Sequence, residues 1–159
     1  MLRNTLAGLA CLILTAAPLA LQAGTEPVDS PLQPIYHLFD AMREHNGEKL
    51  LQQFSPQAVL QRALINGEVK TTDIHVFANS ISKPERYLDE QLLSVTLQQQ
   101  NNLASVWTPF AFYLDGKLSH CGSNSFQLIK IAEQWKNHYL IDVTHPGDCE
   151  QFINQYKRQ

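Results

Sequence analysis

The sequence has few charged residues and no cluster of one sign. Only 17% of its 159 residues are charged, and the formal net charge is -3. Proteins that bind nucleic acid or anionic lipid present concentrated basic surface, so the sequence predicts neither partner. Internal repeats and low-complexity tracts are absent too. The length favours a single globular domain.

Cysteine is scarce as well, and the three cysteines lack the spacing of a zinc site. No two C-x-x-C motifs occur, although such pairs are the usual basis of a structural zinc centre. His120 precedes Cys121, and His138 and His145 lie nearby, which raises a metal-binding or nucleophilic alternative. Neighbouring side chains on a strand point to opposite faces, however. We therefore expect no metal and no cofactor.

The longest hydrophobic run lies at the start of the chain. In residues 1–23, MLRNTLAGLACLILTAAPLALQA, one charge precedes an apolar stretch that ends in small residues. This layout is typical of a secretory signal peptide, and we expect cleavage near Ala23 and a periplasmic or secreted protein. A membrane anchor is disfavoured because the run is short for a span. Lipidation at Cys11 is disfavoured because a hydrophobic segment follows that residue.

Removal of residues 1–23 would leave two cysteines, Cys121 and Cys149. An even pair in an exported protein predicts a disulfide. If the last hairpin turns near Glu133, Cys121 lies opposite His145, and the turn HPGDC can bring Cys149 back to it. In the chain-entropy model, a closed loop of about 29 residues stabilises the fold by about 3–4 kcal/mol.

Apolar spacing predicts helices in the first half of the mature chain, after a loose leader over residues 24–30. The first helix begins at Pro31, with Ser30 as its cap, and ends at the HNG motif of residues 45–47. A short second helix, Glu48 to Phe54, follows. The apolar face of the first helix consists of Leu32, Ile35, Tyr36, Phe39 and Met42.

A hairpin and a third helix come next. Asn66-Gly67 between two short apolar runs is a strong signal for a type I′ turn. The following helix is capped by Thr71 or Thr72. Its apolar stripe consists of Ile74, Phe77, Ala78 and Ile81.

The remainder of the chain reads as strands. Four apolar segments, 90–100, 103–116, 117–132 and 134–145, are joined by the short links NN, DG and AE. Links of this length predict an antiparallel meander, with a bulge or bend at Pro109. Helices followed by long strands indicate an α+β architecture, in which the helices pack on one face of a curved sheet.

Two stretches of this pattern resemble the NTF2-like superfamily, of the SnoaL-like or DUF4440 type. FDAMREHNGEKLLQQFSPQAVLQ is similar to its opening, and ASVWTPFAFYLDGKLSHCGSNSFQLIKIAEQWK to its closing strands. The resemblance covers roughly residues 31–145 and implies one domain over 31–159. That domain would be a cone with its N-terminal helices in the concave face of a mostly antiparallel sheet. It also implies an apolar pocket and homodimers formed through the outer face. Members include isomerases, cyclases, dehydratases and binding proteins, so the fold does not specify the function.

Alternation along the strands suggests which side chains face that pocket. His120, Gly122, Asn124, Phe126 and Leu128 share a face, which Phe126 and Leu128 mark as the interior. The simpler interpretation of the aromatic residues is that they form the core. The alternative is a ligand cavity, apolar with a few polar groups. Its predicted ligand-binding residues are Tyr36, Phe39, Trp107, Tyr113, Asn124 and Phe126.

Catalysis on this fold would need an ionisable group inside the cavity. The inward positions of residues 103–132 hold no Asp or Glu, and Asn124 cannot take up a proton. We therefore expect an exported domain that binds a small apolar ligand or acts as a dimeric interaction module, without catalysis of its own. The alternative is an isomerase, dehydratase or cyclase acting on a small hydrophobic substrate. Its candidate catalytic residues are Asp40 or His138 as base and Tyr36 or Tyr113 as proton donor.

Overall fold

A computed structural model describes residues 29–157, so the signal peptide predicted over residues 1–23 and most of the leader lie outside the described residues. The described residues form four helices and seven strands. The helices are α1 Gln33–Arg43, α2 Gly47–Leu51, α3 Ile74–Ile81 and α4 Cys149–Tyr156. The strands are β1 Phe54–Ala63, β2 Val69–Thr72, β3 Leu88–Leu92, β4 Thr96–Gln100, β5 Leu103–Leu114, β6 Lys117–Ile131 and β7 Gln134–Thr144.

The strands form one curved sheet in the order β2-β1-β7-β6-β5-β3, and β4 also pairs with β5. The antiparallel meander from β4 to β7 is confirmed, and the β1–β2 hairpin is antiparallel too. Only β1 and β7 run parallel among these pairs. The α+β fold class is therefore confirmed: α1 contributes the apolar side chains of its buried face to a core on the concave face of the sheet.

The segment predicted as one strand over residues 90–100 is instead two strands on the same edge of β5. The interruption lies beside Pro109, whose carbonyl accepts a hydrogen bond from Leu93 N at 2.8 Å. Proline has no N–H to donate on this side. Pro109 itself stays in register with Ser123, and the irregularity in β5 falls between Phe112 and Tyr113. The bend predicted at Pro109 therefore appears in the neighbouring strand.

The boundaries of the helices differ from the predictions by a few residues. α1 begins at Gln33, so Pro34 rather than Pro31 lies in its first turn, while the Ser30 hydroxyl accepts a hydrogen bond from Leu32 N. α2 ends at Leu51 because the next residues turn into β1.

The residues that cap α3 and form the first hairpin turn also differ from expectation. Asp73 caps α3 by accepting from Val76 N, in place of a threonine. In the turn, only Gly67 has a positive φ, of 88°, and Leu64 O accepts from Gly67 N. This pattern is a type I turn followed by a glycine bulge, and the predicted type I′ turn was wrong.

The predicted disulfide is present in the structure. Cys121 and Cys149 are bonded with their Cα atoms 5.6 Å apart, and Cys121 lies opposite His145, whose backbone N–H donates to Cys121 O. The sequence did not reveal α4, which Asp148 caps. This helix contacts β5 and β6. It covers the outer face there, since Cys121, on the face opposite Asn124, is fully buried.

One bulge changes the direction of side chains along β7. Gln127 pairs with Tyr139 but Leu128 pairs with Asn137, so His138 is an extra residue in β7. Because side chains alternate along a strand, an inserted residue reverses the alternation beyond it. Odd-numbered residues before the bulge and even-numbered residues after it therefore share the inner face.

Candidate functional site

A cavity of about 340 Å³ lies between the helices and the inner face of the sheet. This volume is at the lower end of the range for small-molecule sites. Its walls are largely apolar, with a concentrated set of polar side chains on the sheet. The lining residues are Leu38, Phe39, Met42, Leu60, Gln61, Arg62, Lys70, Thr72, Phe77, Ile81, Leu88, Glu90, Phe112, His120, Asn124, Leu140 and Asp142.

Four polar residues form a row across the sheet, which we call the polar row: Lys70 in β2, Arg62 in β1, Asp142 in β7 and Asn124 in β6. Each is the direct cross-strand partner of the next. Directly opposed residues place their side chains on the same face of a sheet. All four line the cavity.

Glu90 stands at the inner end of the polar row, on β3. Its Oε1 accepts a hydrogen bond of 2.7 Å from Asn124 Nδ2. The pKa of Glu90 is raised to about 7, chiefly by burial. The hydrogen bond from Asn124 and the charge of Arg62 lower this pKa, and the charge of Asp142 raises it. A carboxyl group with this pKa exchanges a proton readily near neutral pH, which is the property required of a general acid or base.

Arg43 in α1 holds β3, and with it Glu90, against the helix. Its guanidinium donates to Asp89 Oδ1 at 3.0 Å and to Asp40 Oδ1 at 2.7 Å. A third, longer hydrogen bond of 3.4 Å from Arg43 reaches the backbone carbonyl of Glu90. Since Asp89 precedes Glu90 in β3, this ion-pair network fixes the strand from which the buried carboxylate projects.

Arg62 and Asp142 form an ion pair at the mouth of the cavity. Arg62 Nε donates to both carboxylate oxygens of Asp142, at 2.8 and 3.0 Å, and Nη2 donates to Oδ2. The Asp142 side chain is only 13% exposed. The hydrogen bond to Asp142 raises the pKa of Arg62. This geometry is bidentate, which gives the pair a fixed orientation.

His120 lies in the same part of the cavity, among aromatic rings. Phe112, its cross-strand partner, has its ring centre 4.8 Å from the imidazole, and Phe110 packs edge-on at 5.9 Å. Burial lowers the pKa of His120, and the charge of Arg62 lowers it further. The imidazole is therefore neutral at neutral pH and can donate or accept one hydrogen bond.

Two of the predicted ligand-binding residues line this cavity: Phe39 from α1 and Asn124 from β6. Phe126 is fully buried in the core, where it meets Phe39 edge-on at 6.4 Å. Tyr36 packs against the same core. Phe126 is therefore part of the core, Tyr36 packs against it, and neither residue lines the cavity.

The other predicted site residues lie elsewhere. Trp107 is 49% exposed and pairs with Ser125, on the outer face, and Tyr113 follows the irregularity in β5 and does not line the cavity. Asp40 is paired with Arg43, with its side chain 46% exposed. His138 Nδ1 lies 2.8 Å from the hydroxyl of Ser55, at the β7 bulge. Neither Asp40 nor His138 reaches the cavity, so the structure does not bring the predicted catalytic residues together.

Sequence reasoning missed Glu90, Arg62 and Asp142. The expectation that residues 103–132 provide no inward carboxylate holds, but the two carboxylates come from β3 and β7. The bulge at His138 turns Asp142 inward on a strand where Trp135 also faces in. Glu90 gave no signal in the sequence, because it lies in the polar stretch Asp89-Glu90-Gln91, and its position beside the cavity depends on the pairing of β3 with β5.

The comparisons with known proteins support the fold. No family model matches the sequence, and neither does any curated protein. An NTF2-like protein of unknown function from Shewanella baltica is similar in structure, with a TM-score of 0.54 and 15% identity, over 74% of this chain and 92% of that one. An NTF2-like family protein from Streptomyces avermitilis, provisionally named a dehydratase, gives a TM-score of 0.59 and 14% identity, over 72% and 93%.

A third similar structure is a protein from Novosphingobium aromaticivorans provisionally named a scytalone dehydratase. It aligns with a TM-score of 0.60 and 12% identity, over 71% of this chain and 80% of that one. At these identities the likeness shows the fold alone. The NTF2-like fold predicted from the sequence is thus confirmed, while the assignment to the DUF4440 type stays a prediction.

Proposed function

We propose that the chain is an acid–base enzyme that acts on a small hydrophobic substrate, with Glu90 as the proton-transferring group. The observation that carries this proposal is the position of Glu90: a partly buried carboxyl that lines a largely apolar cavity, with a pKa raised to about 7 and one oxygen held by Asn124. Burial of an ionisable group destabilises the fold, so such groups occur mainly where function requires them. Isomerisation, dehydration and cyclisation all require such a group.

The other polar residues of the cavity would divide the remaining tasks. Asn124 orients the carboxyl of Glu90, and neutral His120 supplies a hydrogen bond to a carbonyl or hydroxyl oxygen of the substrate. The apolar walls from α1 and α3 exclude water and hold the hydrocarbon part of the substrate. Tyr36 and Tyr113, the donors expected from the sequence, have no part in this scheme because neither lines the cavity.

The test measures proton transfer itself, so that it does not depend on knowing the product of the reaction. Deuterium exchange into 4-phenylbutan-2-one and related small ketones, followed by proton NMR in D2O, reports removal of a proton beside a carbonyl. Wild-type protein should accelerate exchange with a rate that rises with pH around 7, and Glu90→Gln should lower the rate by about 10²–10⁴-fold. Glu85→Gln is the matched control, since Glu85 is exposed and does not line the cavity. Equal rates for wild type and Glu90→Gln would contradict the proposal.

A second candidate is binding without catalysis, which the apolar lining of the cavity favours. In this case small hydrophobic molecules would bind, and Glu90→Gln would alter affinity while no compound undergoes exchange. The leading expectation from the sequence was of this kind because no inward carboxylate was apparent. The position of Glu90 shifts the balance towards catalysis.

Export to the periplasm or the cell exterior is also part of the proposed function. A disulfide joins Cys121 and Cys149, and structural disulfides form mainly in oxidising compartments. Within residues 29–157, no helix is long and apolar enough to cross a membrane. Cleavage near Ala23 and homodimer formation through the outer face remain proposals, which mass spectrometry and sedimentation of the exported protein would test.

A further inference from the structure

We infer that the cavity accepts a substrate with a carboxylate at one end, held at the cavity mouth by Lys70 and Arg62, and an apolar body that extends towards Glu90. The inference rests on the proposed function of this cavity and adds the chemical class of the substrate. Its basis is the order of charges along the polar row.

Two cations lie side by side at the mouth. Lys70 and Arg62 are directly opposed in the β1–β2 hairpin, and both line the cavity. Like charges at directly opposed positions destabilise a sheet. Natural sequences tolerate such local conflicts mainly where function requires them. The pairing therefore marks the mouth as a place where an anion would relieve repulsion.

The charges of the polar row do not cancel within the protein. Asp142 is engaged by Arg62 through Nε and Nη2, which leaves Nη1 of Arg62 without a carboxylate partner among residues 29–157. Lys70 Nζ forms no ion pair within the same range of residues. Glu90 accepts from Asn124 and is about half protonated near pH 7. The uncompensated charge at the mouth is thus positive.

The distribution of polarity along the cavity sets the orientation of the substrate. Lys70 and Arg62 are exposed at the outer end, whereas Phe39, Phe112 and Leu38 enclose the inner end beside Glu90. A carboxylate placed inside would have to share a low-polarity space with Glu90, and like charges at close range disfavour each other. A carboxylate at the mouth with its hydrocarbon inside satisfies both ends.

The experiment compares three ligands that share one carbon skeleton: 4-phenylbutyrate, 4-phenylbutanamide and 4-phenylbutylamine. Dissociation constants are measured by ligand-observed NMR with the wild-type protein at low and moderate salt. The carboxylate should bind about fivefold more tightly than the amide, as expected for a solvent-accessible charge pair. The difference should shrink as salt is raised.

Lys70→Gln tests the assignment to the mouth. It should bring the ratio of the carboxylate affinity to the amide affinity close to one. Lys83→Gln is the matched control because Lys83 is exposed and does not line the cavity. Equal binding of carboxylate and amide, tighter binding of the amine, or equal effects of the two lysine variants would overturn the inference.

These outcomes separate the inference from the proposed function. If the amide binds as well as the carboxylate and Glu90→Gln still abolishes deuterium exchange, the charge preference is wrong and the catalytic role of Glu90 stands. If the carboxylate preference is present but no exchange is detected with any ketone, the cavity selects anions without catalysis. If none of the three ligands binds, the inference is overturned, because the cavity does not accept phenylalkyl compounds of this class.

Discussion

The two ends of the inner sheet face differ in how the same strands are used. At the closed end, beneath α1, the strands present Val106, Phe126, Leu128 and Trp135, all of them buried in one core. At the open end, β6 and β7 join β1 and β2 in presenting the polar row and His120 around a cavity. A fold of this size can therefore gain its stability from one half of a sheet and leave the other half for chemistry.

The open end surrounds a cavity on its inner side and is reinforced on its outer side. Cys121 lies between His120 and Gly122 in β6, and its disulfide fixes α4 against the back of the cavity wall. His145 stacks on Phe152 of this helix at 4.7 Å. The comparison suggests that packing stabilises the closed end, whereas a covalent bond and a helix on the outer face stabilise the open end.

The largest expected effect concerns the closed end. Phe126→Ala removes a fully buried ring that contacts Phe39 and should lower the free energy of unfolding by about 3–5 kcal/mol. Phe112→Ala, at the open end, should lower it clearly less, because its partly exposed ring borders a cavity that already exists. Urea denaturation of the three proteins gives both values. Equal losses would show that the two ends are packed alike.

The next effect concerns the disulfide. Replacement of both Cys121 and Cys149 by serine should lower the free energy of unfolding by about 3–4 kcal/mol, since the bond closes a loop across 28 positions. Hydrogen exchange should become faster in α4 and the adjacent part of β6, and remain slow at Phe126. If exchange increased uniformly over the sheet, the disulfide would support the whole fold and the division between the two ends would be wrong.

The closed end was largely predictable from the sequence. Helical spacing identified the buried face of α1, and short links identified the meander. On the outer side of the open end, the hairpin register also placed Cys121 opposite His145. These features depend on residues that are close in sequence or joined by tight turns. Local periodicity is sufficient for them because one face of each element must be buried.

The open end was not predictable in the same way. Asp142 faces inward because an extra residue, His138, reverses the alternation in β7, and this bulge lies where β1 joins the sheet. Glu90 is enclosed because β3 pairs with the far edge of β5. Arg62 reaches the cavity because β1 pairs with β7, about 80 residues later. Each of these is a long-range pairing, which alternation within one segment does not encode.

A third prediction concerns the free energy of unfolding that the protein loses when the Glu90 carboxyl is ionised in its folded position. Burial raises its pKa from 4.5 to about 7, so the folded state binds a proton more tightly than the unfolded state. The stability contributed by the protonated carboxyl is complete below pH 4.5 and is lost as pH rises to about 7. Glu90→Gln, which stays neutral, should therefore be more stable than wild type by about 2–3 kcal/mol at pH 8 and equally stable at pH 4.

Denaturation curves of wild type and Glu90→Gln at several pH values test this prediction. Glu85→Gln serves as control, because Glu85 is exposed and does not line the cavity. A stability difference for Glu90→Gln that is independent of pH would mean that the carboxyl ionises normally. The open end would then lack the buried acid that distinguishes it from the closed end.

The smallest expected effect concerns the two opposed cations at the cavity mouth. Lys70→Gln removes the repulsion between Lys70 and Arg62 and should stabilise the protein by about 0.2–0.5 kcal/mol at low salt, and by less at high salt. Lys83→Gln changes the net charge equally but removes no opposed pair, so it should have no comparable effect. Thermal unfolding at two salt concentrations distinguishes the variants. If Lys70→Gln were instead less stable than wild type, Lys70 would stabilise the β1–β2 hairpin. The two cations would then give no sign that stability is reduced at the cavity mouth for the sake of binding.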